Sequence, residues 1–210
     1  MPAELRSVPH SMQKFARCGG VGEANALQCA QQLIKLNVDA LVSFGVAGAL
    51  SSELQVGDVV VPEAVREQSS ENPITTTPLQ SFTQQHGVLL TVQKPVLRAE
   101  HKKKLADKFA AEAVDMESFA VAKIAAENHK PFFCVRAISD SRQTDLPIEI
   151  LPLLQGNVGV THLLKTIAKR PGLIFELVRM GRNYRRALRA LTAFSREHLA
   201  PLSAAEIIHD

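Results

Sequence analysis

Between residues 23 and 138, short apolar, β-branched runs alternate with segments of helical period, and this alternation restricts the fold more than any other feature of the chain. Residues 23–36 read as a helix, with Ala26, Leu27, Ala30, Leu33 and Ile34 recurring at helical steps and Asn37 as a stop. The run DALVSFGVA (39–47) reads as a strand that closes on Gly48. DVVVPEAV (58–65) reads as a second, with Pro62 marking an edge or a bulge. Residues 68–78 are polar and loop-like, residues 78–86 fit a short helix, and GVLLTV (87–92) a third strand. A charged helix over 100–109 and a helix from about Met116 to about His129 follow. The apolar strand 131–138 comes next, with Asp140 just past its carboxyl end. Such a succession predicts an α/β fold with helices on a doubly wound sheet of mixed strand direction. Residues 148–168 are apolar and helical in character, Pro171-Gly172 breaks them, and a long helix is expected from Leu173 to Phe194. No repeat or linker divides the chain, so residues 1–194 read as one domain and 195–210 as a partly disordered tail.

With 210 residues, 46% of them hydrophobic, the chain can build one substantial core. No apolar run is long enough to span a bilayer, and MPAELRSVPH lacks the apolar middle of a signal peptide. Cys18, Cys29 and Cys134 are odd in number and lack metal-ligand spacing. A reduced, cytoplasmic setting is therefore expected, with neither metal nor cofactor, and with Cys134 as core filling. The net charge of +3 is local in origin: residues 165–189 hold eight Lys or Arg and one acid, and the remainder is net acidic.

Two glycine-rich turns and two carboxylates are the candidates for chemistry. Gly19-Gly20-Val21-Gly22 precedes the first helix, and Gly45-Val46-Ala47-Gly48 closes the first strand. Glycine lets backbone amides approach a ligand, and a helix N-terminus attracts anions; a tight structural loop explains the first turn equally well. Glu117 and Asp140 stand at opposite ends of one helix–strand unit, and ligands of open α/β sheets bind at the carboxyl ends of strands. The plain alternatives are a helix N-terminus favoured by Asp115 and Glu117 through its dipole, and Ser139-Asp140-Ser141 as a turn.

Four segments in order resemble the purine nucleoside phosphorylase and nucleosidase superfamily: Gly20-Val21-Gly22; SFGVAGAL (43–50) with VGDVVVP (56–62); AVDMES (113–118), where Asp115 replaces a more usual Glu; and VRAISDS (135–141). The resemblance covers roughly residues 18–145. It is closest to methylthioadenosine/adenosylhomocysteine nucleosidases and to the hopanoid-associated phosphorylases, the latter because of the ending RPGLIFELVRMGRNYRRALRAL. It implies a three-layer α/β sandwich around a central mixed, twisted sheet, with extra C-terminal helices. It also implies cleavage of the N-glycosidic bond of an adenosine-like nucleoside, adenosylhopane in the hopanoid-associated case.

In that reading Asp140 protonates the departing purine, help typically worth about 10²–10⁴-fold in rate. Glu117 accepts hydrogen bonds from both ribose hydroxyls, as an acceptor-only carboxylate can, and Met116 packs on the sugar. Pro95 and Val96 border the base, Ala47 and Gly48 the nucleoside. Gly20 and Gly22 offer amides to a phosphate or a water. Glu4 aligns with the glutamate that orients the water in nucleosidases, but the apolar strand that precedes it in relatives has no counterpart, so the first strand is expected to be missing. Val46 stands where relatives often carry Ser or Thr, which favours water as acceptor without excluding phosphate. Arg136 is a structural partner for one of the acids, and Phe44 and Phe119 are core. The rivals are a methylthioadenosine/adenosylhomocysteine nucleosidase, a general purine nucleoside phosphorylase, and a non-catalytic nucleoside-binding protein. A homodimer is expected from the relatives.

Arg179, Arg182, Arg185, Arg186 and Arg189 recur at three- and four-residue steps, with Leu173, Ile174, Leu177, Val178 and Leu188 as the apolar counterpart. This pattern fits either a helix lying peripherally on the inner face of the cell membrane or an ordinary amphipathic helix with solvated arginines. Nucleic acid is not expected as a partner, because Tyr184 is the only interleaved aromatic.

Overall fold

A computed structural model of the chain describes residues 7–8, 16, 22–70, 72–79, 81–82, 85–151 and 167–199. The elements are α1 (Glu23–Lys35), β1 (Leu41–Ala49), β2 (Val59–Val60), β3 (Pro62–Glu67), β4 (Ile74–Thr75), β5 (His86–Thr91), α2 (Ala99–Phe109), β6 (Ala111–Asp115), α3 (Ser118–Glu127), β7 (Phe132–Asp140), a 3₁₀ turn (Ile148–Ile150) and α4 (Leu173–Phe194). The seven strands form one mixed sheet in the order β2-β7-β1-β6-β5-β3-β4. β1 runs parallel to β7 and antiparallel to β6, while β5 runs parallel to both β3 and β6. The α/β architecture expected from the alternation of apolar runs is thus the one observed.

Pro62 does more than mark an edge. The single apolar run 58–65 is divided at Val61 into two strands: Val60 pairs with Arg136 of β7, whereas Pro62 pairs with His86 of β5. Two residues reach no more than about 7.6 Å, so the sheet must curl until its first and sixth strands, β2 and β3, nearly meet. Curling of this kind follows from the right-handed twist of the strands.

Other differences from the sequence reading have local causes. AEAVD (111–115) is a strand, β6, that the sequence reading did not separate from its neighbours; it is only five residues long and sits between two helices. As a result α3 starts at Ser118 rather than Met116, and Met116 and Glu117 form the strand-to-helix corner. Among the described residues of 78–86 there is no helix, and His86 already belongs to β5. Asp140 is the last residue of β7 rather than lying beyond it. Asn37, with φ 54°, does end α1 in the left-handed conformation. Ser195–Leu199 continue α4 as one wide π turn, with Ser195 and Leu199 buried. Residues 152–166 and 200–210, which carry most of the expected 148–168 helix and the tail, lie outside the described residues.

The core has three parts. α1 and α3 pack on one face through Ala30, Ala122 and Ile124, against Leu41, Ala47 and Cys134, with Phe119 half-buried at the margin. α2 places Leu105 and Phe109 against Leu90, Val92 and Val114. α4 lays Ala187, Leu191 and Phe194 on Val135 and Ala137 of β7, with Phe44 and Val46 half-buried beside them. β1 alternates strictly: Leu41, Ser43, Gly45, Ala47 and Ala49 are buried, and Val42, Phe44, Val46 and Gly48 are half-buried on the opposite face.

Candidate active site

The carboxyl ends of β1 and β7 meet beside the corner after β6, and a cavity of about 940 Å³ opens there. Glu117, Met116, Asp140, Gly48, Ala47, Pro95 and Val96 all line it. The sequence-predicted residues therefore come together from four separate segments. Gly22 lies beside Glu117 through a hydrogen bond, while Glu4 and Gly20 lie outside the described residues. Phe44 and Val46 also face the cavity, so Phe44 is wall as well as core.

Asp140 is aimed by an irregularity in the sheet. Ala47 pairs with Ile138, but Gly48 pairs with Asp140, so Ser139 is an extra residue in β7. The Ser139 hydroxyl donates to Ala47 O at 3.2 Å and to Asp140 Oδ1 at 2.8 Å. A Cβ on Gly48 would lie 3.1 Å from Asp140 Oδ2, which gives the absence of a side chain there a specific use. Asp140 Oδ2 is held by Lys102 of α2, whose Nζ lies 2.5 Å away and also donates to the carbonyls of Ser141 (2.8 Å) and Thr144 (3.2 Å). Lys102 is fully buried, while the Asp140 side chain keeps 14% of its surface open. A fully buried ammonium is tolerated only with this degree of pairing.

Lys102 was not among the residues singled out from sequence. Its signal was present: Lys102, Leu105 and Phe109 stand at i, i+3 and i+7, and all three are buried. A lysine on the apolar face of a helix needs an anionic partner, and the neighbouring lysines at 103 and 104 concealed it.

Glu117 is held at both oxygens. Gly22 N–H donates to Oε1 at 2.7 Å and Met116 N–H to Oε2 at 3.2 Å. Gly22, with φ 105°, adopts a backbone conformation that favours glycine, so the turn before α1 is shaped to deliver that amide. Burial raises the Glu117 carboxyl above its ordinary value. The nearby Asp115 charge adds to this, against the opposing influence of Arg136 and the two amides.

Beneath Glu117 lies a buried polar network. Arg136 donates to Asp115 Oδ2 through Nε (3.0 Å) and Nη2 (2.8 Å), and Nη2 also reaches Ser43 Oγ (2.7 Å) and Ser118 Oγ (2.8 Å). Thr91 Oγ1 donates to Asp115 Oδ1 at 2.7 Å, and Ser118 N–H to Oδ2 at 3.0 Å. Asp115 thus serves the first turn of α3 and Arg136 together, and Arg136 is the structural partner of one of the acids, as expected. Cys134 sits against this network, and burial pushes its thiol up to about 11, as suits an inert core cysteine.

The model of the phosphorylase superfamily matches residues 11–152. The chain is 29% identical over 149 residues to 5′-methylthioadenosine/S-adenosylhomocysteine nucleosidase of Staphylococcus aureus (strain JH9), a match covering 58% of this chain and 65% of that protein. It therefore spans about two thirds of the length of the curated relatives it matches. Among solved structures, the Helicobacter pylori 5′-methylthioadenosine/S-adenosylhomocysteine nucleosidase superposes with a TM-score of 0.63 at 17% identity, covering 87% of this chain and 78% of its own. Futalosine hydrolase of Helicobacter pylori gives the same TM-score and identity, with 87% and 77% covered. At such identities these two likenesses speak for the fold, which is the one observed. The matched model spans both glycine turns, the Glu117 corner and the Asp140 strand end, and on that ground the chain belongs to the phosphorylase superfamily.

Proposed function

We propose that this protein cleaves the N-glycosidic bond of an adenosine-like nucleoside bearing a bulky apolar 5′ substituent, releasing adenine. The observation that carries the reading is that Glu117 and Asp140 line one cavity of about 940 Å³ whose wall includes Val42, Phe44, Val46 and Met180. That volume stands near the top of the range of about 300–1,000 Å³ typical of small-molecule sites, more than adenosine alone requires. Glu117 binds the ribose hydroxyls, its two oxygens already oriented by Gly22 and Met116. Asp140, entering the reaction protonated, passes its proton to the purine as the bond to the ribose breaks; water adds its hydroxyl to the ribose carbon, and its remaining proton restores Asp140. Pro95 and Val96 border the base. Val46 presents no hydroxyl to a phosphate, which favours water as the acceptor. The resemblance of the C-terminal segment to the hopanoid-associated branch makes adenosylhopane the preferred substrate, met by a homodimer in the cytoplasm at the inner face of a membrane.

The second reading is a 5′-methylthioadenosine/S-adenosylhomocysteine nucleosidase, favoured by the 29% identity to the Staphylococcus aureus enzyme. Adenine release from adenosines with 5′-methylthio and with long apolar 5′ groups, with and without phosphate, separates the readings. The expected result is phosphate-independent release with kcat/KM rising with the size of the apolar group. Preference for the methylthio compound would favour the second reading. Binding without release from any of them would mean a nucleoside-binding protein. Asp140→Asn is expected to lower turnover by about 10²–10⁴-fold while leaving nucleoside affinity within a few-fold.

A further inference from the structure

α4 has two working faces. Inward, Leu173, Ala187, Leu191 and Phe194 are buried, and Met180, Asn183 and Tyr184 line the same cavity as Glu117 and Asp140. Outward, the first half of the helix exposes Ile174 (46%), Phe175 (78%) and Val178 (57%), the three most exposed large apolar side chains of α4. Large apolar side chains clustered on a surface mark an interaction site more often than isolated ones do. Continuing along the same side at steps of four, three and four residues are Arg182, Arg185 and Arg189, all exposed. None of these arginines forms an ion pair with a described residue. The one acid of α4, Glu176, is taken by Arg170 at 2.6 Å. An ordinary amphipathic helix covering a sheet accounts for the inward face and for solvated arginines. It gives no reason for an exposed Ile-Phe-Val tip in line with them.

We propose that the outer face of α4 docks on an anionic lipid bilayer, with Ile174, Phe175 and Val178 in the boundary between headgroups and acyl chains and Arg182, Arg185 and Arg189 on the phosphates. Charge complementarity selects this occupant: a row of guanidinium groups with no ion-pair partner among the described residues, next to an apolar tip, matches the layered chemistry of an anionic membrane surface. The docking itself is independent of what the cavity binds. Its use rests on the proposed function: α4 separates the bilayer from the cavity by one helix width, so a nucleoside with an apolar tail could pass from the membrane beside Met180 and Tyr184 without crossing bulk water.

The chain contains no tryptophan, so Phe175→Trp provides a single reporter at the tip. Its emission is expected to shift to the blue on vesicles of phosphatidylcholine with about one third phosphatidylglycerol. It should stay unshifted on phosphatidylcholine alone, and the shift should weaken in high salt. Each arginine on an anionic surface is worth about fivefold in partitioning, so Arg182→Glu with Arg185→Glu and Arg189→Glu should reduce vesicle co-sedimentation at least 100-fold. A tip already blue-shifted without vesicles would mean that the chain or a second copy covers this face, and would overturn the proposal. So would equal co-sedimentation of the wild type and the triple variant. Adenine release from a water-soluble 5′-substituted adenosine, measured on the same preparations, should be unchanged by the triple variant. Loss of release in the wild type would count against the proposed function and leave the docking result standing.

Discussion

Lys102 Nζ lies 2.5 Å from Asp140 Oδ2, and α2 thereby fixes the carboxylate at the end of β7. The ammonium is fully buried and its two other acceptors are the carbonyls of Ser141 and Thr144, so it ties together the whole turn that follows Asp140. Misplacing a reacting group by about 1 Å can cost about 100-fold in rate. Lys102→Met is accordingly expected to lower kcat for adenine release by about two orders of magnitude with KM within a few-fold. Lys102→Ala should recover part of the loss in the presence of ethylamine. A residue that only stabilised α2 would show neither the split between kcat and KM nor the rescue, and steady-state kinetics on both variants measures each.

Glu117 gives a pH dependence of defined sign. Its carboxyl is raised, first by burial and then by Asp115, so the folded protein favours the neutral acid. Its contribution to folding is then fully present below the ordinary glutamate value and is lost as the pH rises through the raised one. Glu117→Gln does not titrate. The variant's melting temperature should therefore gain on that of the wild type as the pH is raised from about 4 to about 8. Nucleoside affinity should run the other way, strengthening with pH in the wild type over the same window, because the ionised form has the two free-acceptor oxygens that vicinal hydroxyls need. Melting curves and titration calorimetry across that window test both slopes.

How much of this could be read from the chain depended on whether a residue's role was local. The helices α1, α2 and α3 and the strands β1, β5 and β7 were legible because each has its own apolar period, and Glu117 and Asp140 were legible because each ends a recognisable segment. What stayed hidden was set by pairing. Val60 and Pro62 read as one strand, and only their partners Arg136 and His86 separate them. The extra residue at Ser139 exists only relative to Ala47 and Gly48. Lys102 looks like one of three lysines in a row until α2 turns it inward. Asp115 and Arg136 are 21 residues apart, and the sequence offered Arg136 no choice between Asp115 and Glu117.

That last pair carries the next prediction. Both side chains are almost entirely buried, and the Asp115 carboxylate accepts four hydrogen bonds, two of them from Arg136. Removing the cation alone leaves an uncompensated buried charge, a change that typically costs roughly 3–5 kcal/mol. Arg136→Met should destabilise the fold by about that amount in urea unfolding, and Arg136→Met with Asp115→Asn by clearly less. The recovery measures how much of the single-variant loss is the stranded carboxylate.

Two glycines beside the two carboxylates separate steric from conformational effects. At Gly48 the backbone accepts any residue, but an added methyl would press to 3.1 Å of Asp140 Oδ2 and 3.4 Å of Val114 Cγ1. At Gly22 the space is open, with nothing within 4 Å, but φ is 105°. Gly48→Ala should therefore fold nearly as stably as the wild type and lose activity, about tenfold or more, by displacing the proton donor a few tenths of an ångström. Gly22→Ala should lose roughly 1 kcal/mol or more of stability from the strained backbone. It should also weaken nucleoside affinity rather than kcat, since relaxation of the turn withdraws the amide that orients Glu117. Unfolding curves and a kcat-against-affinity comparison on the two alanine variants would show opposite patterns. The same pattern in both would mean that the glycines serve only the packing of the turns.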